Sequence, residues 1–183
     1  GLGDVYKRQV PSPELTSDIA HSLVDTLAEL HGVDWDAAGL SGLGRPEGYT
    51  ERQIAGWTKR YGLSETDMIP KAQRVANWLA NNIPPPQPTS LIHNDFKHDN
   101  VVLDASDCSK VIAVLDWEMA TLEEAEFDVA RTVVILSSAP GGDGVRSWLR
   151  RRIGPLAARR FVARYTQRAK LEAERLRWNE ALH

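Results

Sequence analysis

The middle of the chain constrains the fold most, because its apolar and polar residues change there from a helical to a strand pattern. Thr89–Ile92 forms a short apolar run, and the dense polar run His93–Asn100 follows it directly. Two β-branched runs, Val101–Leu103 and Val111–Leu115, are separated by a polar, turn-like segment. This pattern predicts a strand, a polar loop and then a β-hairpin.

Polar side chains capable of chemistry lie at the ends of these predicted strands. Asp95 and Asn100 belong to the polar loop, and Asp116 follows the second hairpin strand. The hairpin would bring Asn100 and Asp116 to neighbouring strand ends. Carboxylate and carboxamide oxygens are hard ligands of the kind that Mg²⁺ prefers, usually with waters or phosphates completing its shell. The spacing therefore predicts a magnesium site beside the loop.

The order His93-x-Asp95-x-x-x-x-Asn100 has the spacing of the kinase catalytic loop, and Asp116 falls where a second metal-binding aspartate belongs. The segment resembles the aminoglycoside phosphotransferase branch of the protein-kinase-like superfamily, and Trp117-Glu118 matches that branch better than a Phe-Gly pair would. It is most similar to bacterial relatives of the kinase-like region fused to some acyl-CoA dehydrogenases. The resemblance extends over roughly residues 11–183.

This resemblance implies an ATP-dependent phosphotransferase that acts on a small-molecule hydroxyl. Asp95 would be the catalytic base, accepting or orienting the proton of the attacking hydroxyl. Asn100 and Asp116 would bind the cofactors by holding the Mg²⁺ of the bound ATP. The acceptor and the choice between ATP and GTP stay open, because fold does not determine substrate.

Three further residues receive roles from the resemblance. His93 would support the loop rather than react, since its counterpart in this fold is structural. Lys97, two residues after Asp95, lies where many protein kinases have a lysine that meets the γ-phosphate. Asp128 would secure the backbone of the catalytic loop from the start of a following helix.

Helical periodicity dominates the rest of the chain, so we expect an α+β protein-kinase-like fold: a mostly helical C-terminal lobe with a small β-hairpin after the catalytic loop. Ser12-Pro13 predicts the first helix, which Gly32 ends, with His21 and His31 on its surface. A third helix would bury Val75 and Leu79. The predicted helices are those from Ser12 to Gly32, from Thr50 to Gly62, 65–82, Phe127–Ser137, Asp143–Arg152, Pro155–Lys170 and Glu172–His183, with helical structure beginning near Glu123.

The expected domain organisation is a lobe of a longer kinase-like protein. No glycine-rich hairpin with a strand lysine precedes the catalytic loop, so the N-terminal lobe is expected to be missing. Residues 1–9 are interpreted as a non-native leader, and residues 10–183 as the C-terminal lobe, truncated at both ends. We expect this chain on its own to be weakly active or inactive.

Composition excludes some other classes. The net charge is −3, and the single cysteine, Cys108, excludes an internal disulfide framework and a multi-cysteine zinc cluster. The arginines of residues 146–177 follow a helical pattern, which favours solvated helix faces over a nucleic-acid surface. No apolar run would span a membrane and no signal peptide opens the chain, so a cytoplasmic location is expected. Oligomeric state stays open.

Two alternative functions stay open from the residues alone. One is a non-catalytic kinase-like module that binds or regulates. The other is a metal-dependent hydrolase that would use His93, Asp95, Asp99 and Asp116 without ATP.

Overall fold

The computed structural model describes residues 12–64, 70–137 and 145–183, and these residues form helices and two small antiparallel sheets. The predicted leader, residues 1–9, lies outside the described residues. The helices are α1 (Pro13–His31), α2 (Tyr49–Ser64), α3 (Pro70–Asn81), α4 (Ala125–Ser137), α5 (Val145–Tyr165) and α6 (Ala173–Leu182). The strands are β1 (Thr89–Ile92), β2 (Val101–Leu103), β3 (Val111–Val114) and β4 (Thr121–Glu124).

The first helix forms as its sequence predicts. Ser12 caps it, because the Ser12 hydroxyl accepts a hydrogen bond from the Leu15 amide at 3.1 Å, and Pro13 occupies the first helical position. Gly32 ends the helix. One expectation for this helix is wrong: His31 is buried rather than on the surface, because it lies on the same face as the buried Val24 and Leu27.

Two buried clusters lie on either side of the sheet formed by β1 and β4. Because successive residues of a strand point to opposite faces, Leu91 packs into one cluster and Ile92 into the other. The first cluster joins α1, α4 and α5 through Leu27, Val129 and Tyr165, all fully buried. The second joins α2, α3, α4 and α6. The strand that precedes the polar loop is therefore fixed on both faces.

Strand β4 is the element that the sequence pattern does not reveal. It pairs with β1 antiparallel, with Leu91 opposite Leu122 and Ile92 opposite Thr121, where helical structure was expected from about Glu123. Its two glutamates disfavour strands, so the local pattern is misleading here. Pairing with a strand some thirty residues earlier in the chain overrides this preference, and helix α4 begins only at Ala125.

The remaining differences concern helix limits. Helix α5 runs without a break through Pro155, where two helices were expected. Packing holds it together: Gly154 lies so close to α4 that an added Cβ would approach the Leu136 carbonyl oxygen to 2.5 Å. In α3, Leu79 is buried as predicted, but Val75 is exposed. The expected beginnings of α3 at Glu65 and of a helix at Asp143 fall outside the described residues.

Much of the positive charge in the last part of the chain is used internally. Arg164 and Arg168 both pair with Asp25 of α1, the former through two hydrogen bonds of 2.8 and 2.6 Å. Arg175 of α6 forms a buried pair with Glu124 of β4. These pairs agree with the interpretation of this region as helix faces packed against acidic partners. Among the described helices, none has the length and apolar character needed to cross a bilayer.

Candidate active site

The polar loop between β1 and β2 brings three of the predicted residues together. The Lys97 ammonium lies 2.6 Å from Oδ2 of Asp95, and Nδ2 of Asn100 donates to the same oxygen at 3.0 Å. The Asn100 amide group also donates to the backbone carbonyl of Asp95 at 2.8 Å. A turn of 3-10 helix over His98–Asn100 makes this possible, because it folds Asn100 back over Asp95. The result is a carboxylate held between a cation and a carboxamide.

This environment keeps the Asp95 carboxylate ionised. Burial raises its pKa, but the hydrogen bonds from Lys97 and Asn100, together with the charge of Lys97, outweigh that effect and lower the pKa. The hydrogen bond to Asp95 in turn raises the pKa of Lys97. The side chains of Asp95 and Lys97 keep 20% and 34% of their surface exposed. The charged, partly accessible carboxylate of Asp95 therefore lies beside the ammonium of Lys97.

Both nitrogens of the His93 ring are bonded within the protein. The Asp95 amide donates to Nδ1 at 3.2 Å, and Nε2 donates to the Leu115 carbonyl at 2.8 Å. A ring that accepts at Nδ1 and donates at Nε2 is the neutral Nε2–H tautomer. The ring is fully buried and also contacts Trp117, with centroids 5.0 Å apart. His93 therefore joins the loop to the strand end that carries Asp116, and it has no free nitrogen for a metal.

Asn100 is bonded to Leu115, the residue before Asp116, where the hairpin opens. The Leu115 amide donates to the Asn100 carbonyl at 2.8 Å, which extends the pairing of β2 and β3 by one step. Asp116 follows immediately, is exposed, and has a left-handed backbone with φ of 64°. Aspartate and asparagine adopt this conformation more readily than other side chains that carry a Cβ. The turn directs the chain away from β3 just after Leu115.

The donor set at this point fits a magnesium ion. The side-chain nitrogen of Asn100, Nδ2, donates to Asp95, so the side-chain oxygen is the atom left to act as a ligand. Asp116 supplies an exposed carboxylate at the adjoining strand end. Mg²⁺ usually takes only one or two protein oxygens and keeps water or phosphate oxygens as its other ligands. Within the described residues there is no cluster of three or more His, Cys, Asp or Glu side chains that would hold a metal.

Asp128, at the start of α4, lies beneath the loop. Its carboxylate accepts hydrogen bonds from the His93 amide at 2.7 Å and from the Asn94 amide at 3.0 Å. Asn94 has a positive φ of 65°, and its side chain donates to the Met119 carbonyl at 3.0 Å. Asp128 is fully buried. The two amides that precede Asp95 are thus bound to one fixed carboxylate.

Sequence reasoning missed two residues of this arrangement. Nε2 of His31 lies 3.2 Å from Oδ2 of Asp128, and Nδ1 of His31 lies 2.7 Å from the hydroxyl of Tyr165. A signal was present, since His31 follows Leu27 by four residues and Val24 by seven, on the apolar face of α1. Its partner Asp128 lies 97 residues away, so only the fold reveals the contact.

Comparison with known proteins gives the family and the fold of the chain. Residues 2–178 match the family model of the phosphotransferase enzyme family. A Ralstonia eutropha structure, provisionally assigned as an aminoglycoside phosphotransferase, superimposes with a TM-score of 0.71 at 30% identity, over 94% of this chain and 53% of that one. A macrolide 2'-phosphotransferase from Brachybacterium faecium gives 0.59 at 20% identity, over 91% and 50% of the two chains, a likeness of fold.

The similarity to acyl-CoA dehydrogenase relatives is confirmed as well. Human acyl-CoA dehydrogenase family member 11 is 40% identical over 120 residues, which are 65% of this chain and 15% of that protein. The chicken protein of the same name is 41% identical over 108 residues, which are 58% and 14% of the two chains. The chain thus spans only about a seventh of these relatives and about half of the solved phosphotransferases. The chain belongs to the phosphotransferase enzyme family and has its kinase-like fold.

Proposed function

We propose that this chain carries the catalytic loop of an ATP-dependent phosphotransferase that transfers the γ-phosphate to a hydroxyl of a small molecule. The observation that carries the proposal is the contact of Lys97 and Asn100 with one oxygen of Asp95, beside the strand end that bears Asp116. Membership of the phosphotransferase family supports the reaction class. The acceptor, the donor nucleotide and the metal are part of the proposal.

Asp95 would orient the acceptor hydroxyl. Within the described part of the chain, its side-chain hydrogen bonds from Lys97 and Asn100 both end on Oδ2, which leaves Oδ1 for the substrate. Its lowered pKa keeps the carboxylate ionised, so that it can accept a hydrogen bond, but makes it a weak base. We therefore expect Asp95 to align the hydroxyl for attack and to receive its proton late, as suits a loose phosphoryl-transfer transition state.

Lys97 would stabilise the negative charge of the transferring group. Its ammonium is tied to Asp95 by a single short contact, and its side chain is one-third exposed. It can therefore contact a phosphate oxygen while keeping Asp95 ionised. A cation that bridges base and phosphate would bring the attacking oxygen and the phosphorus into line.

Asn100 and Asp116 would hold the Mg²⁺ that accompanies the nucleotide. When bound, this ion would neutralise charge on the phosphate oxygens. The chain's own contribution is geometric. The side-chain nitrogen of Asn100 donates to Asp95, and the backbone carbonyl of Asn100 accepts from the Leu115 amide. Any ligand of Asn100 is therefore placed at a constant distance from the orienting carboxylate.

The binding step is testable on this chain. We expect Mn²⁺, titrated with ATP as a paramagnetic substitute for Mg²⁺, to broaden the backbone NMR signals of Asn100 and Asp116 selectively. Asp116→Asn should weaken the effect, because it removes the charge while tolerating the left-handed backbone. Asp107→Asn, in the exposed hairpin turn, is the matched control and should leave it unchanged. Broadening that is equal in both variants would contradict the metal assignment.

The transfer step is tested by ADP release with a panel of hydroxyl acceptors, in protein that contains the complete kinase-like region. Asp95→Asn keeps the shape of the side chain and should lower turnover by about 100-fold or more, the usual contribution of a positioned acid–base group. Undiminished turnover would refute the role of Asp95. Nucleotide binding without transfer to any acceptor would favour a non-catalytic kinase-like module instead.

A further inference from the structure

A chain of buried polar groups links three helices to the polar loop. The hydroxyl of Tyr165 in α5 lies 2.7 Å from Nδ1 of His31 in α1, and Nε2 of that ring lies 3.2 Å from Oδ2 of Asp128 in α4. Tyr165 and Asp128 are fully buried, and the His31 side chain keeps 3% of its surface exposed. Because these groups are buried away from solvent, each needs its hydrogen bond: a buried polar group without a partner lowers the stability of the fold.

The chemistry of the groups determines which atom donates at Asp128. A carboxylate only accepts, so Nε2 of His31 must carry a proton and donate to Oδ2. At the other side of the ring, Tyr165 is a neutral hydroxyl, because burial and the charges of Glu126 and Asp128 raise its pKa. The hydroxyl holds Nδ1 and thereby the plane of the ring. His31 is thus oriented before it contacts Asp128.

The contact with Asp128 matters because of how its two oxygens are used. Oδ2 accepts from the His93 amide as well as from His31, while Oδ1 accepts from the Asn94 amide. Rotation about the last torsion of an aspartate has a broad energy profile, so two amides from one loop leave its orientation weakly determined. A third donor from a different helix removes that freedom.

We propose that His31 is a positioning residue for the catalytic loop: held by Tyr165, it orients the Asp128 carboxylate that fixes the amides of His93 and Asn94. Asp95 follows Asn94 directly, so the position of Asp95 depends on this series of hydrogen bonds. The name "catalytic" loop rests on the proposed function. The positioning itself is a property of this chain and is measurable without nucleotide or acceptor.

Amide hydrogen exchange, followed by NMR on the chain itself, tests this proposal. His31→Leu fills much of the ring's volume but removes the donor, and we expect the His93 and Asn94 amides to exchange about tenfold faster or more, relative to the amides of β1. His31→Gln places an amide nitrogen near the site of Nε2 and should restore protection to within about threefold of the parent. A role limited to overall stability would instead speed all protected amides by one common factor.

Two further variants make the result decisive. Tyr165→Phe removes only a hydroxyl, so it tests the proposal even if His31→Leu does not fold; the His93 and Asn94 amides should again exchange faster than the rest. Ser22→Ala is the matched control on α1, the helix of His31, because the Ser22 hydroxyl accepts a hydrogen bond from the Val111 amide at 3.0 Å. It should affect Val111 and leave His93 and Asn94 unchanged. Uniform acceleration in Tyr165→Phe, or equal behaviour of the Leu and Gln variants, would overturn the proposal.

Discussion

Glu123 should lower the stability of this protein at neutral and alkaline pH. Its side chain is buried on β4, opposite Ser90, and its Oε2 is buried without a hydrogen-bond partner among the described residues. Burial raises the pKa of Glu123 to about 7; a hydrogen bond with the Glu124 backbone opposes this effect, the charges of Glu124 and Glu51 add to it, and the charge of Arg52 opposes it. The perturbation is Glu123→Gln, which removes the charge and keeps the shape.

The sign and the size follow from proton linkage. Between the ordinary value of 4.5 and about 7, the folded state binds the proton more tightly than the unfolded state, so the free energy of unfolding falls as the pH rises. The fall is complete above the folded-state pKa. The difference between the ordinary pKa of 4.5 and the folded-state pKa of about 7 corresponds to about 3 kcal/mol in the free energy of unfolding. Glu123→Gln should therefore be close to neutral at pH 4.5 and stabilising by up to about 3 kcal/mol at pH 8.

Urea denaturation of the parent and of Glu123→Gln, each near pH 4.5 and near pH 8, measures this directly. The quantity of interest is how the stability difference between the two proteins changes with pH, because all other titrating groups cancel in it. Glu29→Gln, an exposed site on α1, is the control and should show a small, nearly constant difference. A Glu123→Gln difference that does not change with pH would refute the assignment of a buried, protonatable carboxyl.

Two other substitutions test the packing around the site. Gly44→Ala should destabilise by about 1–3 kcal/mol, since the added Cβ would lie 2.2 Å from Oγ1 of Thr121, whereas Gly42→Ala has open space and should have little effect in the same thermal melt. Arg175→Ala should cost about 3–5 kcal/mol, because it leaves Glu124 charged and buried; chemical denaturation checks this, and a cost below about 1 kcal/mol would contradict the pairing.

The polar loop and the hairpin could be predicted from the sequence because their determinants are local. Asp95, Lys97 and Asn100 lie within six residues of each other, and a single turn of helix suffices to bring them together. Strand pairing across the hairpin follows from β-branched residues on either side of a polar turn. In both cases the residues that meet in space are close in the chain, so residue spacing carries the information.

The contacts that hold the loop in place could not be predicted in this way. Strand β4 contains the unfavourable pair Glu123-Glu124 and exists because it pairs with β1. His31 was expected on the surface because the leucines and Ile19 of α1 already form a core-facing stripe, and its burial depends on α4 and α5 packing against α1. The local preference of His31 cannot indicate its environment, because its partner Asp128 lies 97 residues away in the chain.

The two non-glycine residues with positive φ in the described part of the chain connect these two levels. Asn94 precedes Asp95 directly, and Asp116 is itself a proposed metal ligand. A left-handed backbone costs about 1–2 kcal/mol for an ordinary side chain and less for asparagine and aspartate, so contacts with other residues help to hold both conformations. Asp128 fixes the first through the Asn94 amide, and the His93–Leu115 hydrogen bond fixes the second through the residue before it. The motif thus specifies which groups would carry the proposed reaction, whereas contacts with Asp128 and Leu115, outside the motif, help to fix the positions of these groups.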